Sequence, residues 1–300
     1  MYMKSFVLLV LTLFVSKIST EYCYYRHGKE SNGSYIECEL AGTGEPIEGI
    51  SLMHLERNTT ISILKRELLA PFPNLKTLFM TAANIRKIEP DAFTNLTLVM
   101  VDLYNNKLEV LRRGTFSGQK KISYMDLSYN YFKNLTAATF SGLIGLEWLS
   151  LNANQIGLIE SSALNDLVKL KSLYLRYNKI PNLHVDTFKK LVALEILDLS
   201  MNNLKTISAG LLSNQGQLYT LLLDFNALEN ITDGAFDKTI ALTYLDVSNN
   251  RLRELPEDLF NNTNRLEVLR ASNNQIRAFN YTILLSKTSF LREVLLYNNS

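Results

Sequence analysis

The aspartates of this chain fall in step. Asp102, Asp126, Asp198 and Asp246 share one place in a spacing of 24 residues, and Asp224 stands two places further along in its own unit. Carboxylates in register on neighbouring chain segments repel, and a bound cation or a basic partner would relieve them. Ser150, Tyr174 and Leu222 interrupt the row, and Arg176 and Arg270 add positive charge, so the pattern suits a mixed protein surface better than a calcium cage. Catalytic chemistry has little to work with. His27, His54 and His184 share no spacing with a Cys, Ser or carboxylate that would assemble a triad. There is no zinc-protease motif or phosphate-cradling glycine loop, so no enzyme activity, metal or cofactor is expected. A formal charge of +2 gives no footprint for a nucleic-acid partner.

Aromatic residues interleave with the aspartates. Phe79, Tyr124, Trp148, Tyr174 and Tyr244 occupy the same places or the alternate ones, joined by Met100, Ile196, Leu222 and Val268, while Tyr129, Tyr177, Met201 and Phe225 recur three further on. Displayed together, such rings give a protein interface large contact area at small rotamer cost. The bland alternative is that they pack sideways on one another. The ligand-binding set expected from the sequence is therefore Phe79, Asp102, Tyr124, Asp126, Tyr129, Trp148, Tyr174, Arg176, Tyr177, Asp198, Phe225, Tyr244 and Asp246.

The elements that must position them are repeats. The pattern L-x-x-L-x-L-x-x-N-x-L begins at Leu75, Leu98, Ile122, Leu146, Leu170, Leu194, Leu218, Leu242, Leu266 and Leu291. This is the leucine-rich repeat signature. One unit is too short to bury its apolar side, so units stack and share a core. Leu at the first, fourth and sixth places alternates as in a short strand, with the third and fifth places left to solvent. Asn at the ninth place, from Asn106 through Asn130, Asn154, Asn178, Asn202, Asn226, Asn250 and Asn274 to Asn299, has the short amide needed to satisfy backbone where the chain leaves the strand. Ala83 replaces it in the Leu75 unit.

A second apolar set, typified by Ile88, Leu135 and Ile207, is followed five places on by Phe93, Phe116, Phe140, Phe188 and Phe236. These fill the other half of each unit with turns or short helices, which are wider than strands and force curvature. Pro90, Pro181 and Pro256 fall after the strand has ended, where they do not break its ladder. The expected fold class is α/β, a curved leucine-rich repeat solenoid with a concave parallel sheet. Residues 50–300 form it: one irregular repeat and ten strand segments, the last unit incomplete.

The front of the chain reads differently. Lys4 precedes the apolar run Phe6 to Val15, and Ser16, Ser19 and Thr20 follow, which makes residues 1–20 a secretory signal peptide. No later run is long and apolar enough for a membrane helix. Residues 21–49 are expected to cap the solenoid, with Cys23 and Cys38, the only cysteines, paired in an oxidising compartment. Closing that loop contributes about 3 kcal/mol. Acceptor triplets for N-glycans begin at Asn32, Asn58, Asn95, Asn134, Asn230, Asn261, Asn280 and Asn298.

The units L-E-I-L-D-L-S-M-N-N-L (Leu194 to Leu204) and L-T-Y-L-D-V-S-N-N-R-L (Leu242 to Leu252) resemble those of extracellular, typical-type leucine-rich repeat proteins. The segment Cys23 to Cys38, with I-S-I-L-K-R-E-L-L-A-P-F-P-N-L-K-T-L (Ile61 to Leu78), is similar to the start of mosquito leucine-rich repeat immune proteins and related insect secreted proteins. That resemblance implies an innate-immune protein engaging complement-like or pathogen-surface proteins. The C-terminal Cys cluster and coiled coil that let long members dimerise have no counterpart through Ser300, so oligomeric state is not carried over. The expectation is a secreted, glycosylated recognition module, with a matrix or cell-surface adhesion scaffold as the alternative.

Overall fold

The computed structural model describes residues 23–26, 35–38, 51–55 and 61–299. The signal peptide, most of the expected cap, His27, Asn32 and Asn58 lie outside the described residues. Eleven short strands form one parallel sheet in strict chain order, from Leu52–Leu55 through Thr77–Met80 to Glu293–Leu295. Each strand pairs with the next at the repeat spacing, for example Trp148 with Ser172 and Leu149 with Leu173. At about 4.8 Å per step the sheet runs close to 50 Å. The expected curved solenoid with a concave parallel sheet is the fold observed, and the irregular first repeat supplies its first strand.

The alternation of side chains explains the sheet. Leu149, Leu173, Leu197, Leu221 and Leu245, all at the fourth place, are buried, as are Leu151, Leu175 and Leu199 at the sixth. The core they form is continuous through every repeat. Its outer half is closed by Phe93, Phe116, Phe140, Phe188 and Phe236, all buried, with the first two rings stacked at 5.4 Å between centroids. Outside that spine the chain returns mostly through turns. Among the described residues the helical pieces are Arg66–Leu69, the 3-10 turn Glu257–Phe260 and the longer helix Tyr281–Lys287.

Convex pairing is patchy. Ile63–Leu64 pairs with Lys87–Ile88, Asn134–Leu135 with Leu158–Ile159, and Thr206–Ile207 with Asn230–Ile231. Pro181 shows why one of the gaps exists. It occupies the place of Gly157, whose N–H donates to Lys133 O at 2.9 Å, and a proline has no such donor. The prolines leave the concave ladder intact, as expected, yet Pro181 stops the convex one.

The asparagines are the cross-links. Asn154 is buried; its Oδ1 accepts from Phe132 N at 3.1 Å, and its Nδ2 donates to Leu127 O at 3.1 Å and Leu151 O at 3.0 Å. The same triad of bonds recurs at Asn130, Asn178, Asn202 and Asn250. Where Ala83 replaces Asn, the next asparagine takes one more amide than in the regular units: Asn106 Oδ1 accepts from Ala83 N as well as from Ile85 N. Two buried glutamines do similar work on the convex side, Gln119 holding Leu98 N, Phe93 O and Leu96 O, and Gln215 holding Phe188 O and Leu191 O.

Changing Asn154→Ala strands the Phe132 N–H in the core and takes one of two donors from each of Leu127 O and Leu151 O, which keep Asn130 and Asn178. The expected loss of unfolding free energy is about 2–4 kcal/mol, with amide exchange at Phe132 accelerated before that of distant repeats. A denaturant titration with hydrogen exchange checks this, and a loss below about 1 kcal/mol would contradict the cross-link role.

Candidate protein-binding face

The concave face is made by the side chains the core does not use. Tyr124 and Trp148 are partners in register on adjacent strands, and their rings stack at 4.3 Å with planes 8° apart. Trp148 lies opposite Ser172, whose small side chain leaves room for the indole to lean toward Tyr174; those rings are 5.3 Å apart and inclined at 46°. The lateral packing expected as one reading of these rings is present. They pack laterally, and all three remain partly open to solvent. Burial, reinforced by Asp126 and Asp102, holds the Tyr124 phenol well above its usual range.

Around this row the remaining expected residues spread along the arc. Phe79 meets His54 edge to face at 5.9 Å near the first strand, and Tyr244 receives the Arg270 guanidinium over its ring at 5.3 Å. Tyr129, Tyr177 and Phe225 stand along one edge, 54%, 64% and 49% exposed. Their backbone is left-handed, with φ of 56°, 57° and 54°, as at Asn105, Asn249 and Asn273 in the same place. Asparagine enters that region readily, whereas a bulky ring there costs about 1 kcal/mol. The inter-repeat ladder holds them in it: Tyr129 N donates to Asn152 O at 2.8 Å and Tyr177 N to Ser200 O at 3.1 Å.

The aspartates prove to have a local task as well. Asp102, Asp126, Asp198 and Asp246 each accept the backbone N–H two residues on, from Tyr104, Ser128, Ser200 and Ser248, at 2.8 to 2.9 Å. This Asx-type turn starts the chain's exit from the strand. Its signal lies in the sequence as Asp-x-Ser at Asp126, Asp198 and Asp246. Asp198 is buried, only 6% exposed, and also takes the Ser200 hydroxyl, so its carboxylate is turned to the turn and away from solvent.

Two acidic groups result. Asp102 and Asp126 sit side by side in register. Burial, and then Asp126, push Asp102 up to about 6, and burial raises Asp126. Further along, burial, and then Asp246, push Asp224 up to about 6, against the pull of Arg176, whose Nη1 lies 3.8 Å away. Arg176 also donates to Ser200 Oγ at 2.7 Å. Arg270 is paired with Glu293 at 3.0 Å. No group of three His, Cys, Asp or Glu able to hold a metal gathers among the described residues. His54 lies on the first strand, and His184, exposed on the convex side, contacts only Asp186 at 3.7 Å among the ion pairs.

A ladder of buried asparagines behind a curved parallel sheet defines a class, the leucine-rich repeat solenoid. The chain belongs to the leucine rich repeat family, whose model matches residues 97–156, 168–215 and 216–276, more than half of its length. It is 30% identical over 138 residues to human Toll-like receptor 5, a stretch covering 45% of this chain and 16% of the receptor. Among solved structures it is similar to the TLR13–ssRNA13 complex, with 26% identity, a TM-score of 0.70, and coverage of 83% of this chain and 40% of that one. It shares its fold with the APL1 leucine-rich repeat domain (19% identity, TM-score 0.67, 81% of this chain and 61% of that one). The same holds for the Drosophila Toll–Spätzle complex (20% identity, TM-score 0.57, 85% and 45%). The likeness in sequence is thus to Toll-like receptors, while the APL1 and Drosophila Toll structures share the fold, and mosquito secreted proteins are not singled out. No helix among the described residues is long and apolar enough to cross a membrane.

The raised Asp102 carries a stability cost with a definite sign. Between its ordinary value of 3.8 and about 6 the folded state binds more protons than the unfolded chain, so stability falls as pH rises through that window. Asp102→Asn keeps the acceptor for Tyr104 N and removes the charge. The variant is expected to be more stable than wild type by about 1–3 kcal/mol at neutral pH, the difference vanishing on acidification below the ordinary carboxylate range. Denaturant midpoints across that range measure it.

Proposed function

We propose that this chain is an extracellular recognition module of the innate-immune type, secreted and glycosylated, that binds a protein partner on its concave face. The observation that carries the proposal is the Tyr124–Trp148–Tyr174 row, three partly exposed rings held in fixed mutual geometry at the middle of the sheet. Rigid aromatic surface of this kind gives up little entropy on binding. The similarity to Toll-like receptors supports an immune setting, and complement-like or pathogen-surface proteins are the partner classes the proposal names. RNA, the ligand named for the TLR13 complex, fits this chain poorly, because its concave face displays Asp102, Asp126, Asp224 and Asp246 where phosphates would need cations. Recognition, and not catalysis, is the role proposed.

The glycan acceptors support the choice of face. Asn95, Asn134, Asn230, Asn261 and Asn280 are exposed and fall in the return halves of their units, and Asn298 lies in the eighth place of its unit, so none occupies a concave strand. The proposed layout is a leader at residues 1–20, a cap at 21–49 and the solenoid at 50–300. Strands Cys23–Arg26 and Tyr35–Cys38 pair antiparallel with Cys23 directly across from Cys38, a register whose Cα separation of about 4.5–5.5 Å suits a disulfide.

Two measurements test this reading. Protein secreted from cultured cells is expected to offer no thiol to an alkylating reagent until it is reduced, and both cysteines afterwards; a free thiol before reduction would remove the disulfide. Affinity capture from extracellular fluid, read by mass spectrometry, is expected to recover a soluble immune or complement-like protein with wild type and to lose it with the Trp148→Ala, Tyr174→Ala double variant, whose fold is checked by circular dichroism. Equal recovery by the two forms would sink the assignment of the face. Recovery of matrix or membrane proteins by both would favour an adhesion scaffold.

A further inference from the structure

The concave face differs in charge from the chain that carries it. The whole sequence has a formal charge of +2, yet the solvent-side places at the centre of the sheet hold Asp102, Asp126, Asp224 and Asp246 against Arg176 and Arg270. Those two cations are already committed, and only Asp224 gains from them at ion-pair distance. Arg176 is engaged by Ser200 and Asp224, and Arg270 by Glu293 and the Tyr244 ring. Among the described residues no Lys or Arg comes within ion-pair distance of Asp102, Asp126 or Asp246. Each aspartate spends one oxygen on the turn that follows it and keeps the other.

The aromatic row lies between the two acidic groups. Asp126 is on the strand Tyr124–Asp126 and Asp224 follows the strand Thr220–Leu222, four strands further along the sheet. That separation is roughly 19 Å, and Trp148 and Tyr174 present their rings within it. A guanidinium or ammonium group entering from the concavity meets carboxylates at either end and ring faces between, the two environments that hold a cation away from bulk water.

From this arrangement we infer that the occupant of the concave face is a basic protein segment, laid along the sheet with one cluster of Arg or Lys on Asp102 and Asp126, a second on Asp224 and Asp246, and the chain between them on Trp148 and Tyr174. The inference rests on the concave-face reading above and adds the partner's chemistry to it. In extended chain at about 3.3 Å per residue the two clusters stand about six residues apart. The arrangement brings a pH dependence. Asp102 faces Asp126 and Tyr124, and Asp224 faces Asp246, Asp198 and Arg176, with Arg270 and Glu293 beyond. Both carboxylates, pushed up to about 6, lose their charge on mild acidification, and the basic segment is released.

Trp148 is the only tryptophan in the chain, so its emission reports the site directly. The probe is a synthetic peptide with two Arg–Arg pairs about six residues apart, set beside the same peptide with Glu in place of Arg. At about pH 7.5 the Arg peptide is expected to shift the Trp148 emission saturably, with affinity at least about tenfold weaker at about pH 5 and in the Asp126→Asn, Asp246→Asn variant. Asparagine keeps the turn acceptor, and circular dichroism verifies that the variant is folded. An equal response to the Glu peptide, or affinity unmoved by the asparagine variant, overturns the inference. If the Arg peptide gives no response while Trp148→Ala, Tyr174→Ala still loses the captured partner, the basic segment falls and the concave-face reading stands. If that double variant retains the partner, the face itself falls, and the inference with it.

Discussion

Every strand in this solenoid ends in the interior, and the backbone there has to be satisfied without a sheet to do it. The buried asparagine is the answer the sequence repeats. Its one acceptor and two donors take an amide of the preceding unit, a carbonyl of the preceding unit and a carbonyl of its own. An unpaired buried amide or carbonyl costs about 1–3 kcal/mol, so each junction would otherwise work against stacking. The concave sheet, the placing of its side chains and the curvature all presuppose that this junction is closed. The unit with Ala83, which has no such asparagine, is tied to the next one by Asn106, which accepts from two of its amides.

Much of the architecture was legible because burial in a stacked array writes itself into spacing. Leu149 and Leu173, one repeat apart, are buried for the same reason and paired in register, and periodicity alone predicts both. The candidate face was legible as a set of places, since alternation sends Trp148 outward and Leu149 inward. What spacing does not encode is where a side chain spends its hydrogen bonds. Asp198 and Asp126 occupy equivalent places, yet Asp198 is covered and bound twice by Ser200, while Asp126 keeps an open side toward Asp102. Nor did the pattern disclose the left-handed backbone of Tyr177. That follows from a ladder running past the end of the strand, and Asn105, Asn249 and Asn273 in the same place were its only trace. The effect of Pro181 was missed because its lost bond belongs to the convex ladder.

The face carries features that cost the fold stability. Placing Asp102 beside Asp126, half-withdrawn from water, raises the energy of the charged folded state at neutral pH. The amide at this place needs only an acceptor, and for Arg176 N an asparagine of the neighbouring repeat, Asn152, supplies it. The charge is therefore surplus to the fold, and so are large rings in the left-handed places at Tyr129 and Phe225, where Asn249 and Asn273 show that a smaller residue suffices. Such excesses gather on the concave surface and its edge.

The uneven pairing of the two sides has a mechanical consequence. The inner face is one unbroken hydrogen-bonded band, whereas strand pairing on the outer face comes in three separate couples among the described residues, with Gln119 and Gln215 bridging other joints through their side chains. Bending such a strip would strain the unpaired outer joints before the band, and at Pro181 one backbone donor is missing beside the bond from Lys179 N to Ile156 O. The arc is in effect a leaf spring with a stiff inner leaf and a segmented outer one. A load on the hollow would fall first on the outer joints.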